Sequence, residues 1–417
     1  MIICFERRMS SGADRKAGRQ LTPMALGYRL SCQCRNIFNR ECLAGGNQVF
    51  EVEGRRGKLI MSRTVHFLLP ALAAACFSPG AFAQPVTTNY ALVTTIPVPG
   101  GLAGYDINWV DPANSRYYLA DRTATKGTGR IDVVDTQTMK LVATIPQTKT
   151  EIGFTGTVPN PSPGCSASGP NGVVAIPQLH QLYVGDGDST VKVVDTNANA
   201  VVAVIPTGGK CRADELAYDA ADHIIAIAND QESPPFITFI STDTQSVLGR
   251  YTYPAAQTGN GLEQPVWNPK NDRFYVSVPA NASTQGGIDV INPLTMQVER
   301  TIPTQCSPAG LVLTANQRLM TSCGQSFDAI SGNSLGVTAS AQADQLWYNP
   351  GDNYFYFGYF NGNFGPFTGQ GVAVVDNSNN QLLTFIPAST HSLAVDPNTN
   401  RIFIPVTGSG IQVWAQH

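Results

Sequence analysis

The 417-residue sequence lacks most of the short signatures that identify an enzyme on sight. It has no G-x-S-x-G, no Walker phosphate loop and no H-E-x-x-H, which removes the usual serine hydrolases, P-loop NTPases and zincins. From Gln84 onward it also has no Cys-x-x-Cys, so a zinc ribbon or a thioredoxin-like redox pair is not expected. Its apolar run at 67–77 falls well short of the ~20 residues that a spanning helix needs. Basic residues are scarce beyond the first 83 positions: from Gln84 there are 15 Lys and Arg against 25 Asp and Glu, a net of −10. A surface of that sign repels phosphate backbones, so nucleic acid is not an expected partner.

The first 83 residues differ in kind. They hold 12 of the 27 Lys and Arg. Met61 and Arg63 precede the apolar run, and Ala81-Phe82-Ala83 follows it before Gln84. This is the three-part pattern of a secretory signal at 61–83 with an A-x-A cleavage site. Residues 1–60 are then expected to arise from a start codon assigned too far upstream. Ala73-Ala74-Ala75-Cys76 loosely resembles a lipoprotein box, so anchoring through Cys76 is the alternative to a periplasmic or secreted protein.

What is present from residue 90 onward is a repeat. Residues 181–209, QLYVGDGDSTVKVVDTNANAVVAVIPTGG, hold three short β-branched runs separated by Gly, Asp, Asn and Ser clusters, the pattern of antiparallel strands joined by tight turns. Aligning the turn after the first strand of each unit gives Pro112, Pro177, Ala220, Pro269, Ala315, Pro350 and Pro397, hence seven units. Second strands follow each turn, and third strands read IDVVDT, VKVVDT, ITFIST, IDVINP, FDAISG, VAVVDN and IQVWAQ. Four strands per unit predict an all-β, seven-bladed propeller over 84–417 as one domain. The seventh unit stops at its third strand, and YALVTTIP at 90–97 supplies the missing fourth. That pairing closes the ring and removes its open edges.

The repeats RYYLAD, QLYVGD and RFYVSV, with their VVDT-type turns and TIP-type endings, resemble the YVTN-type seven-bladed β-propellers of exported bacterial and archaeal proteins. The resemblance covers 90–417, although the YVTN tetrapeptide is absent and the fifth unit is degenerate. It implies the fold. It does not imply an activity, because such propellers include binding proteins and relatives of lactonases and dehydrogenase subunits.

In a blade of strands A to D, the D-to-A and B-to-C connections share one face. All the long loops fall there: 121–129, 147–169, 230–235, 279–287 and 359–371. Long loops on a rigid scaffold favour function on that face. Six residues before each aligned turn, at the channel mouth, stand Asp106, Asn171, Asp214, Glu263, Ala309, Asp344 and His391, with Glu215 and Gln264 one residue further in. Oxygen-rich convergence suits Ca²⁺ or Mg²⁺ ahead of Zn²⁺ or Mn²⁺, with Asp106, Asp214, Glu263, Asp344 and His391 as the ligands. Crowded carboxylates would also raise one pKa, which allows acid–base chemistry by Glu263 beside His391 if the protein is an enzyme. His180 and His223 fall in turns of the opposite face, so the four-His iron site of propeller oxygenases cannot form. Asp135, Asp195 and Asp376 read as turn residues bonding to nearby backbone NH groups.

The aromatic run at 347–367 divides into a strand and a loop. Loop residues Tyr359, Phe360, Phe364 and Phe367 are hard to bury and offer an aromatic contact surface for a ligand. The four cysteines beyond residue 84 suggest two disulfides. Cys165 and Cys211 lie in long-loop-face connections of adjacent units, and Cys306 and Cys323 flank the first two strands of unit five. The expectation is an exported monomer that binds a small ligand or divalent cation at the channel mouth. A metal-dependent lactonase or lyase at the same site, and a protein-docking scaffold on the same face, are the alternatives.

Overall fold

Strand residues buried on both faces need a sheet that is covered on each side, and a ring of blades meets that demand by packing sheet against sheet. The computed structural model describes residues 89–254, 261–280, 285–338, 343–364 and 367–417, with side chains described except at 360–368. These residues belong to the second of two compact units, Met1–Gly80 and Ala81–His417. The expected signal segment, its upstream extension and Cys76 lie outside the described residues.

Seven four-stranded antiparallel sheets are present. Blade one is formed by Tyr105–Asp111, Arg116–Asp121, Arg130–Asp135 and Lys140–Ile145. Blade seven begins with Ala394–Asp396, Arg401–Val406 and Gly410–Gln416 and is completed by Tyr90–Ile96, which pairs antiparallel with Gly410–Gln416. The ring therefore closes as the sequence predicts. Each innermost strand touches the innermost strand of the next blade all the way round. The degenerate fifth unit is a complete blade of short strands, Leu311–Leu313, Arg318–Thr321, Gln325–Asp328 and Ser334–Val337.

The core is distributed rather than central. Among the described residues there are seven hydrophobic clusters, and each one joins two neighbouring blades. Tyr118, Ile131 and Val133 of blade one meet Val173, Leu182 and Val184 of blade two, for example. Outer strands such as Ser246–Thr252 expose alternate residues to water. In every blade the pairing of the third strand with the fourth contains a register shift, a bulge that strengthens the twist a propeller blade needs.

Turn chemistry follows the sequence closely. Every turn between a first and a second strand ends in a left-handed residue: Ser115, His180, His223, Asp272, Gln317, Asn353 and Asn400. His180 and His223 are thus turn residues. Asp135 accepts from the backbone NH of Gln137 and Thr138, and Asp195 from Asn197 and Ala198. Asp376 does the same for Ser378.

One element departs from expectation. The segment expected as a loop at 359–371 is largely a β-hairpin, Tyr354–Phe364 against Phe367–Asp376, with Tyr359 opposite Gly371. Tyr359 is 1% exposed and packs with Phe355 and Phe357. The aromatic alternation that buries Phe355 and Phe357 simply continues through it. Phe360, Phe364 and Phe367 lie outside the described side chains.

Candidate functional site at the channel mouth

The register predicted from sequence brings Asp106, Asn171, Asp214, Glu215, Glu263, Asp344 and His391 into one connected electrostatic group. Two arginines that sequence reasoning did not include complete it. Arg122, just beyond the second strand of blade one, donates to Asp106 and to Asn171 Oδ1, the latter through Nε at 3.1 Å and Nη2 at 2.6 Å. Arg212 reaches Asp214 Oδ2 at 2.5 Å, Asp230 Oδ2 at 2.9 Å and Asp106 Oδ2 at 3.7 Å. Buried Asn171 also donates through Nδ2 to the Ala213 carbonyl, 3.0 Å away.

The two predicted disulfides are present, Cys165–Cys211 and Cys306–Cys323. The first has a direct consequence for the mouth. Cys211 precedes Arg212, whose backbone NH donates to Ser166 O at 2.7 Å, beside Cys165. The Cys211 NH in turn donates to Glu232 Oε1 at 2.6 Å. The Arg212 backbone is therefore clamped from both sides, and its side chain is aimed at three carboxylates.

The mouth is consequently asymmetric. On blades one to three the acids are knitted together by guanidinium groups. Blade five contributes only Ala309, whose NH donates to Ser322 Oγ at 3.0 Å. On either side of that small residue stand Glu263 of blade four and Asp344 of blade six. Neither carboxylate has a protein hydrogen-bond partner among the described residues, and Asp344 is exposed while Glu263 is half-buried. His391 of blade seven, 7% exposed, stacks on Tyr105 with ring centroids 4.8 Å apart and lies 3.4 Å from Asp106 Oδ1 through Nε2.

Charge balance differs around this ring. Burial would raise the Asp106 carboxyl, but Arg122, the His391 contact and Arg212 hold it well below the usual carboxylate range. Asp214 is raised by burial, which outweighs the attraction of Arg212. Glu263 is pushed well above its ordinary value by burial and then by Asp344. Asp344 touches solvent within the channel yet is enclosed by protein, and that enclosure raises its carboxyl although His391 opposes the shift. Glu215 is raised by burial and by the charges of Glu263, Asp214 and Asp344.

Below the mouth, Glu215 of blade three accepts a hydrogen bond from Gln345 Nε2 of blade six. Gln264 Oε1 accepts from the Leu311 NH at 3.0 Å and lines the same narrow throat. Gln345 follows Asp344 as Glu215 follows Asp214, so the one-residue offset that singles out Glu215 and Gln264 also marks it. The arginines carry no such signal, because they come from loops rather than from the repeated strand.

Among the described residues no group of three or more His, Cys, Asp and Glu side chains has the arrangement of a metal site. Asp106 and Asp214 are directed at guanidinium groups, which already supply positive charge.

Neither a family model nor any curated protein sequence matches the chain. Solved structures do match. A chain of the structure titled "Crystal Structure of Mitotic Checkpoint Complex" aligns with 85% of this chain and 99% of its own length, at TM-score 0.59 and 12% identity. At that identity the similarity is one of fold alone, so the resemblance seen in the repeats extends as far as the propeller. The paired cysteines are consistent with an extracellular or periplasmic protein. Among the described residues no helix is long and apolar enough to cross a membrane.

Proposed function

We propose that the protein is a small-molecule binding propeller whose site is the acidic notch over blade five, and that it takes an organic cation. A primary ammonium would sit between Glu263 and Asp344, with the compensated half of the mouth forming the opposite wall. The observation that carries this reading is the asymmetry itself: these two carboxylates flank a small residue and have no hydrogen-bond partner among the described residues, while Asp106 and Asp214 are held by arginine. An ammonium placed there supplies the charge-assisted donors that both carboxylates lack. The net of −10 beyond residue 83 would draw cations toward the ring.

A thermal-shift titration of the purified protein with 1,4-diaminobutane tests the reading, using butane-1,4-diol as the uncharged control and Ca²⁺ as the inorganic competitor. A saturable rise in melting temperature with the diamine alone supports it. Stabilisation by the diol to the same extent, or by Ca²⁺ with no effect of the diamine, overturns it in favour of neutral-ligand or metal binding.

A further inference from the structure

The opposite end of the channel holds a second cavity, independent of the mouth and unlike it in chemistry. It is a well of about 360 Å³, within the size range of small-molecule sites. Trp109, Trp267 and Trp347 line it together with Tyr218 and Tyr348, and no charged residue contributes to its wall. Three of the four tryptophans in the chain thus converge on one opening. All five aromatic side chains are half-buried rather than sealed in the core. Trp109 and Trp347 meet edge to face, with centroids 5.4 Å apart, and form a rigid side of the well.

The floor is polar. Leu216 and Gln264 line both the well and the throat above it, so the two spaces adjoin. Asn108 and Glu215 line that throat at 1% and 4% exposure. Asn108 Nδ2 donates to Ser392 Oγ at 2.9 Å and Glu215 Oε1 accepts from Gln345, but Asn108 Oδ1 and Glu215 Oε2 are buried with no protein partner among the described residues. Buried polar atoms left in this state favour whatever brings them a hydrogen bond. The throat is narrow, with room of about 20 Å³, enough for a water or a single hydroxyl but not for a ring.

We infer that this well is a second binding site for a neutral, planar, apolar molecule carrying one hydroxyl at its end. The ring system lies against Trp109, Trp267 and Trp347, and the hydroxyl points into the throat toward Asn108 and Glu215. Charged ligands are disfavoured because the wall offers them no counter-ion and would strip their water. Aromatic rings gain offset or edge contacts from indoles beyond simple area burial. The site needs no part of the acidic notch, so each can fail without the other.

Calorimetric titration with 2-naphthol at pH 7 tests the assignment, with naphthalene-2-sulfonate as the charged analogue. The expected result is saturable one-to-one binding of 2-naphthol, at least tenfold weaker binding of the sulfonate, and at least a tenfold loss in Leu313→Trp, which fills the well from a half-buried position. Leu313→Phe is the milder block should the larger one disturb blade five. Non-saturable uptake by the wild type, equal affinity for the sulfonate, or undiminished binding in a folded Leu313 variant would overturn it.

Discussion

Glu215 and Gln345, 130 residues apart in sequence, hydrogen bond across the channel from blades three and six. No two blades in a ring of seven stand further apart. This contact separates an acidic mouth from an apolar well, and one of its partners is a buried carboxyl with a raised pKa.

The raised Glu215 carboxyl makes stability depend on pH with a definite sign. Between the unfolded value of about 4.3 and the raised folded value, the native state holds more protons than the unfolded chain, so stability falls as pH rises through that window. Glu215→Gln keeps the acceptor for Gln345 and removes the titration. The variant should be more stable than the wild type at pH 8, by about 1.4 kcal/mol for each unit of pKa difference, and the gap should close toward pH 4. Urea unfolding across that range checks it; a gap that widens at low pH would contradict the sign.

Arg212→Met leaves Asp214, Asp230 and Asp106 without a shared cation. Breaking a largely buried ion-pair network from one side should cost about 3–5 kcal/mol. Denaturation at pH 7 measures the loss, which should shrink as acid protonates the stranded carboxylates.

The two disulfides should separate in their effects. Losing either one should cost about 2–4 kcal/mol in stability. Cys165→Ser/Cys211→Ser frees the backbone that aims Arg212, so it should also loosen the ion pairs on blades one to three. Cys306→Ser/Cys323→Ser releases the segment that holds Ala309 between Glu263 and Asp344, so calorimetry should show weaker diamine binding as well as a lower melting temperature.

Tyr359→Ala should act on the core. Removing a side chain that is 1% exposed and packed with Phe355 and Phe357 should cost about 3–5 kcal/mol, as for other large aromatic truncations. A stability within 1 kcal/mol of wild type, about the effect of a surface change, together with altered ligand affinity, would return this tyrosine to the contact surface that its sequence suggests.

The fold was legible because the blades repeat the same local choices: β-branched second and third strands, a turn at a fixed place after the first strand, and, in blades one, two and six, an Asp in the turn after the third. Even the ring closure could be read, since Tyr90–Ile96 carries the pattern of a fourth strand. The mouth was half legible. Residues fixed to the repeat, from Asp106 to His391, follow from counting back from a turn. Arg122 and Arg212 sit in loops with no periodicity, and their partners depend on packing between blades. The sequence misleads at Tyr359 because the long connection at 359–371 reads as a loop, whereas the strand continues past Gly358. The aromatic well was missed for a related reason: Trp109, Trp267 and Trp347 look like ordinary strand residues until the ring brings three blades to one axis.

The central claim is that Glu263 and Asp344 form the cation-binding notch. Calorimetry of 1,4-diaminobutane binding to the wild type and to Glu263→Gln/Asp344→Asn, at pH 6 and pH 8, tests it most directly. Because both carboxyls are raised, deprotonation should tighten binding as pH rises, and the double variant should lose at least tenfold in affinity and most of the pH dependence. Equal affinity in the two proteins, or binding that weakens as pH rises, would contradict the account.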